Sequence, residues 1–198
     1  MLEPDKHAGA AKRGGIILDE EIQSEEDTQK DKYLTFTLED ELYGIDISVV
    51  IEIIGILPIT AVPEVPPYVK GIINLRGKII PVVDMRLRFR RTPREYTDRT
   101  CVIVIEADGV LVGLIIDGVS EVRDIPESEV VPPPKLKAAQ NRYIKGVGRQ
   151  QDGKVVLLLD WQKLFSSEEA ELFEAMADDG AEDEAAPAES AGNGGTEK

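Results

Sequence analysis

Very little in this sequence is equipped for chemistry. Cys101 is the one cysteine and His7 the one histidine in 198 residues. A single cysteine excludes a disulfide within the chain, and one Cys with one His cannot build a typical four-ligand zinc site. His7 lies in a small, polar opening stretch that does not hold a general base in position. No G-x-x-x-x-G-K-S/T phosphate loop and no dinucleotide fingerprint occurs. No run approaches the roughly 20 apolar residues of a membrane span, and the first thirty residues contain no apolar signal region. These absences point to a non-enzymatic, cytoplasmic protein with no cofactor, no metal and no direct membrane insertion. Cys101, in the apolar run Cys101-Val-Ile-Val-Ile105, reads as a small buried hydrophobe.

Charge is abundant but unevenly placed. The formal net charge is −15, yet residues 31–165 carry nineteen acidic and eighteen basic groups. The excess belongs to the ends, which repel nucleic acid and anionic membrane. Residues 1–30 read as a disordered leader, broken only by the apolar Ile16-Ile-Leu18, and residues 178–198 as a disordered acidic tail. Arg86, Arg88, Arg90, Arg91, Arg94 and Arg99 form the single basic cluster. It faintly resembles a nucleic-acid surface, but its position, diluted by Glu95 and Asp98, reads as a solvated connection with a few salt bridges.

The chain is dominated by an internal repeat. An offset of 69 residues lays Tyr33–Val65 on Val102–Pro134, so that Gly44 falls on Gly113, Glu52 on Glu121 and Pro63 on Pro132. After a short insertion, Tyr68-Val-Lys-Gly71 matches Tyr143-Ile-Lys-Gly146, and Ile80-Pro-Val-Val-Asp84 matches Val156-Leu-Leu-Leu-Asp160. Two related units packed together leave a seam, which is a natural binding place. Asp84 and Asp160, equivalent positions just after strands, read as structural.

Strand signals fill each copy. Tyr33–Leu38 alternates with period two, Glu39-Asp-Glu41 supplies a turn, and Leu42–Ile45 returns, which predicts a hairpin. Ser48–Val50 suits one helical turn. Prolines 58, 63, 66 and 67 preclude a long helix before Val69–Leu75 and Lys78–Val83, a second hairpin around Asn74-Leu-Arg-Gly77. About five short strands per copy suit a small closed barrel without exposed edges. The expected units are one barrel over about 32–88, a second over about 99–165, and a terminal helix over 166–177. Ser166-Ser-Glu-Glu169 has capping-box spacing, and Leu172, Phe173 and Met176 share the face expected to pack on the barrels.

The motifs Tyr43-Gly-Ile-Asp-Ile47, Val50-Ile-Glu-Ile53, Pro66-Pro-Tyr-Val-Lys-Gly-Ile-Ile-Asn-Leu-Arg-Gly77 and Pro81-Val-Val-Asp-Met-Arg86 closely resemble the CheW family. Asp117-Gly-Val-Ser-Glu-Val122 and Tyr143-Ile-Lys-Gly-Val-Gly148 extend the likeness, which covers about Lys32–Met176. The resemblance implies an all-β fold with a C-terminal helix, made of two five-stranded SH3-like barrels related by a pseudo-twofold axis. It implies a chemotaxis adaptor that joins the cytoplasmic hairpin tip of a chemoreceptor to the regulatory domain of the histidine kinase CheA, recruited to membrane receptor arrays. By motif position Val50, Glu52, Gly71 and Arg76 would face the receptor, and Gly77, Gly113 and Gly146 the kinase. Each has a plainer alternative: Val50 as core, Gly71 as strand geometry, Arg76 as a brace bonded to Glu52, and the other glycines as turn or packing positions. A coupling protein of a non-flagellar chemosensory pathway shares every motif. The chain departs from the family pattern in its longer leader and acidic tail.

Overall fold

The computed structural model describes residues 29–107, 109–133, 142–149 and 153–182. The expected leader up to residue 28, with His7, and the sequence beyond residue 182 lie outside the described residues. The first predicted hairpin forms as strands β1 (Lys32–Leu38) and β2 (Glu41–Asp46), with Leu38 opposite Glu41 across the turn. Glu39 holds a positive φ of 57° there. The expected helical turn is a 3-10 turn, Ile47–Val49, capped by Asp46, which accepts from the Ser48 amide at 3.0 Å. Strand β3 (Val50–Gly55) follows, then the proline-rich segment, then the second hairpin β4 (Val69–Leu75) and β5 (Lys78–Asp84). A one-turn helix α1 (Met85–Arg88) begins on Asp84, whose carboxylate accepts from the amides of Arg86 and Leu87. The second copy supplies β6 (Cys101–Ala107), β7 (Val110–Ile116), β8 (Gly118–Asp124), β9 (Val130–Val131), β10 (Ile144–Arg149) and β11 (Val155–Leu159). Helix α2 (Ser167–Glu182) ends the described chain.

The two barrels do not coincide with the two sequence copies. One sheet runs β3-β6-β7-β5-β4, the other β8-β1-β2-β11-β10-β9. Each barrel thus takes its first hairpin from the opposite copy, which corrects the contiguous boundaries expected at 32–88 and 99–165. The exchange is symmetric. Gly44 of β2 pairs in parallel with Leu158 of β11, and its counterpart Gly113 of β7 pairs in parallel with Val82 of β5. Closure is symmetric as well: the chain leaving β3 returns through Thr60 to bridge Ile72 of β4, and the chain leaving β8 returns as β9 to pair with β10. Sheets closed in this way leave few unpaired edges. The fold is all-β with one C-terminal helix, a pair of SH3-like barrels, and the two-residue β9 gives the second a sixth short strand.

The exchange decides where apolar side chains go. Along β1, Leu34, Phe36 and Leu38 point to one cluster while Tyr33 points to another, and both are buried. Strand β6 behaves alike, with Ile103 and Ile105 in the first cluster and Val102 and Val104 inside the other barrel. A strand buried on both faces keeps the period of two but loses its polar side. The largest cluster draws on β1 and β2 from one barrel, on β5, β6 and β7 from the other, and on α2, so it fills the seam between them. Two smaller clusters, one around Ile80 and Val104 and one around Val156 and Leu158, fill the barrel interiors.

Helix α2 is five residues longer than the expected end at 177, and starts where the capping box placed it. The Ser166 amide donates to Glu169 at 2.7 Å, and the Glu169 amide donates to Ser166 Oγ at 3.3 Å. Phe173 and Met176 are buried in the seam cluster with Leu172 beside them, as the shared face predicts. Glu169 also receives Arg88 through both terminal nitrogens at 2.9 Å and the Tyr68 hydroxyl. Arg88 lies over the rings of Tyr68 and Tyr143, equivalent residues of the two copies, at 4.6 and 4.9 Å, and its Nε donates to the Leu164 carbonyl at 2.9 Å. Here one cation ties both barrels to the helix.

Burial pushes the Glu169 carboxyl up, but the Tyr68 hydroxyl, the Ser166 amide and Arg88 together hold it below the ordinary glutamate value of 4.5. Its folded pKa is therefore below its unfolded one, so this latch stabilises fully above about pH 4.5 and is lost as pH falls through the folded value. Thermal unfolding followed by circular dichroism should give a midpoint that is level from pH 7 to 5 and falls below about 4.5. Glu169→Gln should cost about 3 kcal/mol at pH 7, because it leaves Arg88 buried without its anion, and should flatten the acid limb.

Candidate functional site

Strands β3 and β8, equivalent in the two copies, both carry apolar residues that fail to find a core, Ile51 and Ile53 on the first and Val119 and Val122 on the second. Ile51 and Ile53 are 52% and 44% exposed, on either side of Glu52. The ladder with β6 shifts register between Val50, opposite Ile105, and Glu52, opposite Val104. Ile51 sits in that irregularity, and bulges of this kind re-aim side chains out of a sheet. The turn between β4 and β5 comes alongside. Leu75 pairs with Lys78, and the two turn residues Arg76 and Gly77 have φ of 54° and 85°, the paired positive values of a type I′ hairpin. Asn74 Oδ1 accepts from the Gly77 amide at 2.8 Å and fixes the turn.

That geometry presents Arg76 to Glu52 as a fork. Its Nη1 and Nη2 donate to the two carboxylate oxygens at 3.1 and 2.9 Å. The Arg76 side chain is 74% exposed and Glu52 25%. An ion pair this open is worth about 1 kcal/mol at most, so its partners can be exchanged at little cost. The second copy differs in detail: Ser120 replaces Ile51, the exposed apolar residues of β8 are Val119 and Val122, and Glu121 pairs with Arg123 two residues along its own strand. Both copies carry exposed apolar residues and an open ion pair on this strand, but only in the first copy does the charge pair join the strand to a neighbouring turn.

The residues singled out in the sequence divide. Glu52 and Arg76 touch, and Gly77 shares their turn. Val50 is half-buried and packs on the seam cluster, which gives it the core alternative. Gly71 is buried with φ of 133°, and a Cβ there would collide with the Thr60 carbonyl oxygen where the barrel closes. Its place is structural. Gly113 is buried too, and a Cβ would sit 2.7 Å from Val102 and 2.8 Å from Val82 at the parallel crossing. Gly146, the counterpart of Gly71, faces Val130 of β9 in the same way. Gly113 and Gly146 thus sit where the barrels leave no room for a side chain. Ile51 and Ile53 escaped the sequence reading because Val50–Ile54 is apolar apart from Glu52, so no alternation shows which faces point outward.

Within the arginine cluster Arg90, Arg94 and Arg99 are exposed and Arg91 bonds Glu39 and Glu41, as a solvated connection with a few salt bridges predicts, but Arg86 and Arg88 depart from it. Arg86 and Arg88 are 6% and 7% exposed. Arg86 donates from Nε to Asp117 Oδ1 at 2.6 Å, from Nη2 to Asp117 Oδ2, and from Nη1 to Glu39 at 3.2 Å. Burial pushes Asp117 up, but the Arg86 bonds and the Glu39 amide outweigh it and hold the carboxyl below the ordinary range. Arg86 and Arg88 are thus neutralised inside the protein.

The described residues form a double SH3-like barrel with exposed apolar residues on β3 and β8. Residues 32–169 match the model of the CheW-like domain. The chain is 36% identical over 152 residues to the chemotaxis protein CheW of Klebsiella aerogenes, covering 76% of this chain and 91% of that protein. It is 37% identical over 141 residues to CheW of Treponema pallidum, covering 69% and 82%. The crystal structure of the scaffolding protein TtCheW from Thermoanaerobacter tengcongensis superposes with a TM-score of 0.64 at 38% identity, over 69% of this chain and 92% of that one. The chain belongs to the CheW family of non-enzymatic chemotaxis scaffold proteins. No helix of the described residues is long and apolar enough to cross a membrane.

The glycines separate into two kinds by substitution. Gly71→Ala should lower unfolding free energy by about 3 kcal/mol in urea titration, since both its backbone and its neighbours resist a Cβ. Gly77→Ala, with nothing within 4 Å of the added carbon, should cost about 1 kcal/mol through φ alone. Glu52→Ala should change stability by under about 1 kcal/mol.

Proposed function

We propose that this chain couples chemoreceptors to the histidine kinase CheA, binding the cytoplasmic hairpin tip of the receptor through Glu52, Arg76 and the neighbouring apolar residues of β3, and through them is recruited to membrane receptor arrays. The observation that carries this reading is the open Glu52–Arg76 fork beside exposed Ile51 and Ile53. A charged helical hairpin with an apolar stripe offers partners for both: side chains that bury the isoleucines, and a carboxylate or amide that takes over one arm of the fork. Val50 contributes from the strand end, and Gly71 supports the site by letting the barrel close beneath it.

The kinase contact falls to the turn at Gly77, with Gly113 and Gly146 acting through barrel shape. The two contacts meet at the β4–β5 turn, where Arg76 and Gly77 are adjacent, and the pairing of receptor and kinase contacts extends into arrays. A non-flagellar chemosensory pathway would use the same chemistry with a different receptor. Co-sedimentation with a receptor signalling fragment and CheA distinguishes the surfaces. Arg76→His and Glu52→Ala should each weaken receptor-dependent sedimentation about tenfold with an unchanged melting midpoint, corresponding to about 1.4 kcal/mol of binding. Wild-type sedimentation by both variants would remove the receptor assignment.

A further inference from the structure

The two sequence copies are held together by four strand ladders, β1 with β8, β2 with β11, β3 with β6 and β5 with β7, and every apolar cluster mixes residues of both. Only the connector Phe89–Thr100 makes these ladders intramolecular. A second copy of this chain carries the same edges, so the first repeat of one molecule and the second repeat of another have every contact needed for a complete double barrel. We propose that this chain has a half-exchanged dimer available to it, and that Arg91 and Tyr96 pin the connector so that each chain pairs with itself.

The pins are specific. Arg91 Nη1 donates to Glu39 at 2.7 Å, its Nη2 donates to Glu41 and, at 2.8 Å, to the Tyr43 hydroxyl, and its amide donates to the Arg86 carbonyl at 2.8 Å. The Tyr96 hydroxyl donates to Asp84 Oδ2 at 3.1 Å. All these acceptors belong to the first repeat. With both pins in place the connector is fixed to that repeat as far as residue 96. Only Thr97–Thr100 remains, itself folded by the Thr97 amide on Thr100 Oγ1 at 2.9 Å and the Thr100 amide on the Thr97 carbonyl at 3.1 Å. Four residues span about 13 Å at most, too little to join two bodies of this size without strain. Without the Arg91 and Tyr96 side-chain pins, the backbone bonds of Phe89, Arg90 and Arg91 and the Arg86 bond to the Thr92 carbonyl remain, so the eight residues 93–100 are released and reach about 27 Å. Exchange then opposes only the millimolar effective concentration of a short flexible link, and the swapped form repeats native contacts throughout.

The test is refolding of the full chain from urea at a series of concentrations up to several hundred micromolar, read by size exclusion with light scattering. Wild type should return as the 21.8 kDa monomer. Arg91→Ala combined with Tyr96→Phe should give a species of twice that mass, with a dimer fraction about tenfold above wild type that rises with refolding concentration and survives dilution. Differently tagged variants should form mixed dimers when refolded together and none when mixed already folded. A double variant that melts cooperatively yet returns as monomer at every concentration overturns the proposal. So do mixed dimers formed between folded molecules, which would be surface association. If the double variant fails to fold, Tyr96→Phe alone, lacking one hydroxyl, is read in the same way, and an entirely monomeric product overturns it.

Discussion

Neither sequence copy can cover its own strands, because each lends its first hairpin to the other's barrel. The rest of the structure depends on this exchange. It places the parallel crossings at Gly44 and Gly113, where a side chain has no room beside Leu158 or Val82. It buries β1 and β6 on both faces, and it puts the largest apolar cluster between the barrels. A small barrel alone encloses too little apolar surface to be secure. Sharing hairpins turns two thin cores into a set of three that stand or fall together.

Symmetry in the frame makes its breaks informative. The equivalent tyrosines Tyr68 and Tyr143 converge on a single cation, Arg88, whose counterpart is Leu164, the residue whose carbonyl it binds. Helix α2 follows only the second copy and packs back on the first, locked through Glu169. The other break is at β3, where Ile51 stands in place of the second copy's serine and Glu52 is answered by a turn arginine rather than by its own strand. One break closes the seam and uses charge internally. The other leaves apolar and charged groups open to a partner. Because the frame is held by burial elsewhere, the exposed site is able to vary without threatening the fold.

Local structure was legible wherever one physical rule governed a short stretch. The capping box at Ser166–Glu169 formed as spaced, the β4–β5 turn took the positive φ values its glycine suggested, and the Asp84 cap did the structural work expected of it. The repeat itself disclosed two related units. Their wiring was not legible, since a hairpin that completes its own copy and one that completes its neighbour carry the same alternation. The buried arginines were missed for a similar reason: Arg86 and Arg88 are charges in a polar stretch until Asp117 and Glu169, distant in sequence, arrive to neutralise them. At the site, Glu52 and Arg76 emerged through resemblance and were joined by geometry. The exposure of Ile51 needed the bulge, which a run of apolar letters conceals. Gly71, Gly113 and Gly146 entered as contact positions with strand geometry or packing as the plainer alternative, and it is crowding by backbone and side chains that the structure shows at each.

Native-state hydrogen exchange tests the interdependence of the two copies most directly. Amides of Phe36 and Ile45 in the first hairpin, Ile103 and Leu114 in the third, and Leu158 in the last should exchange with a common free energy equal to that of global unfolding, with a shared denaturant dependence. Protection that separates into one value for residues 32–88 and another for 101–165 would mean that each copy closes on itself, and would contradict the account.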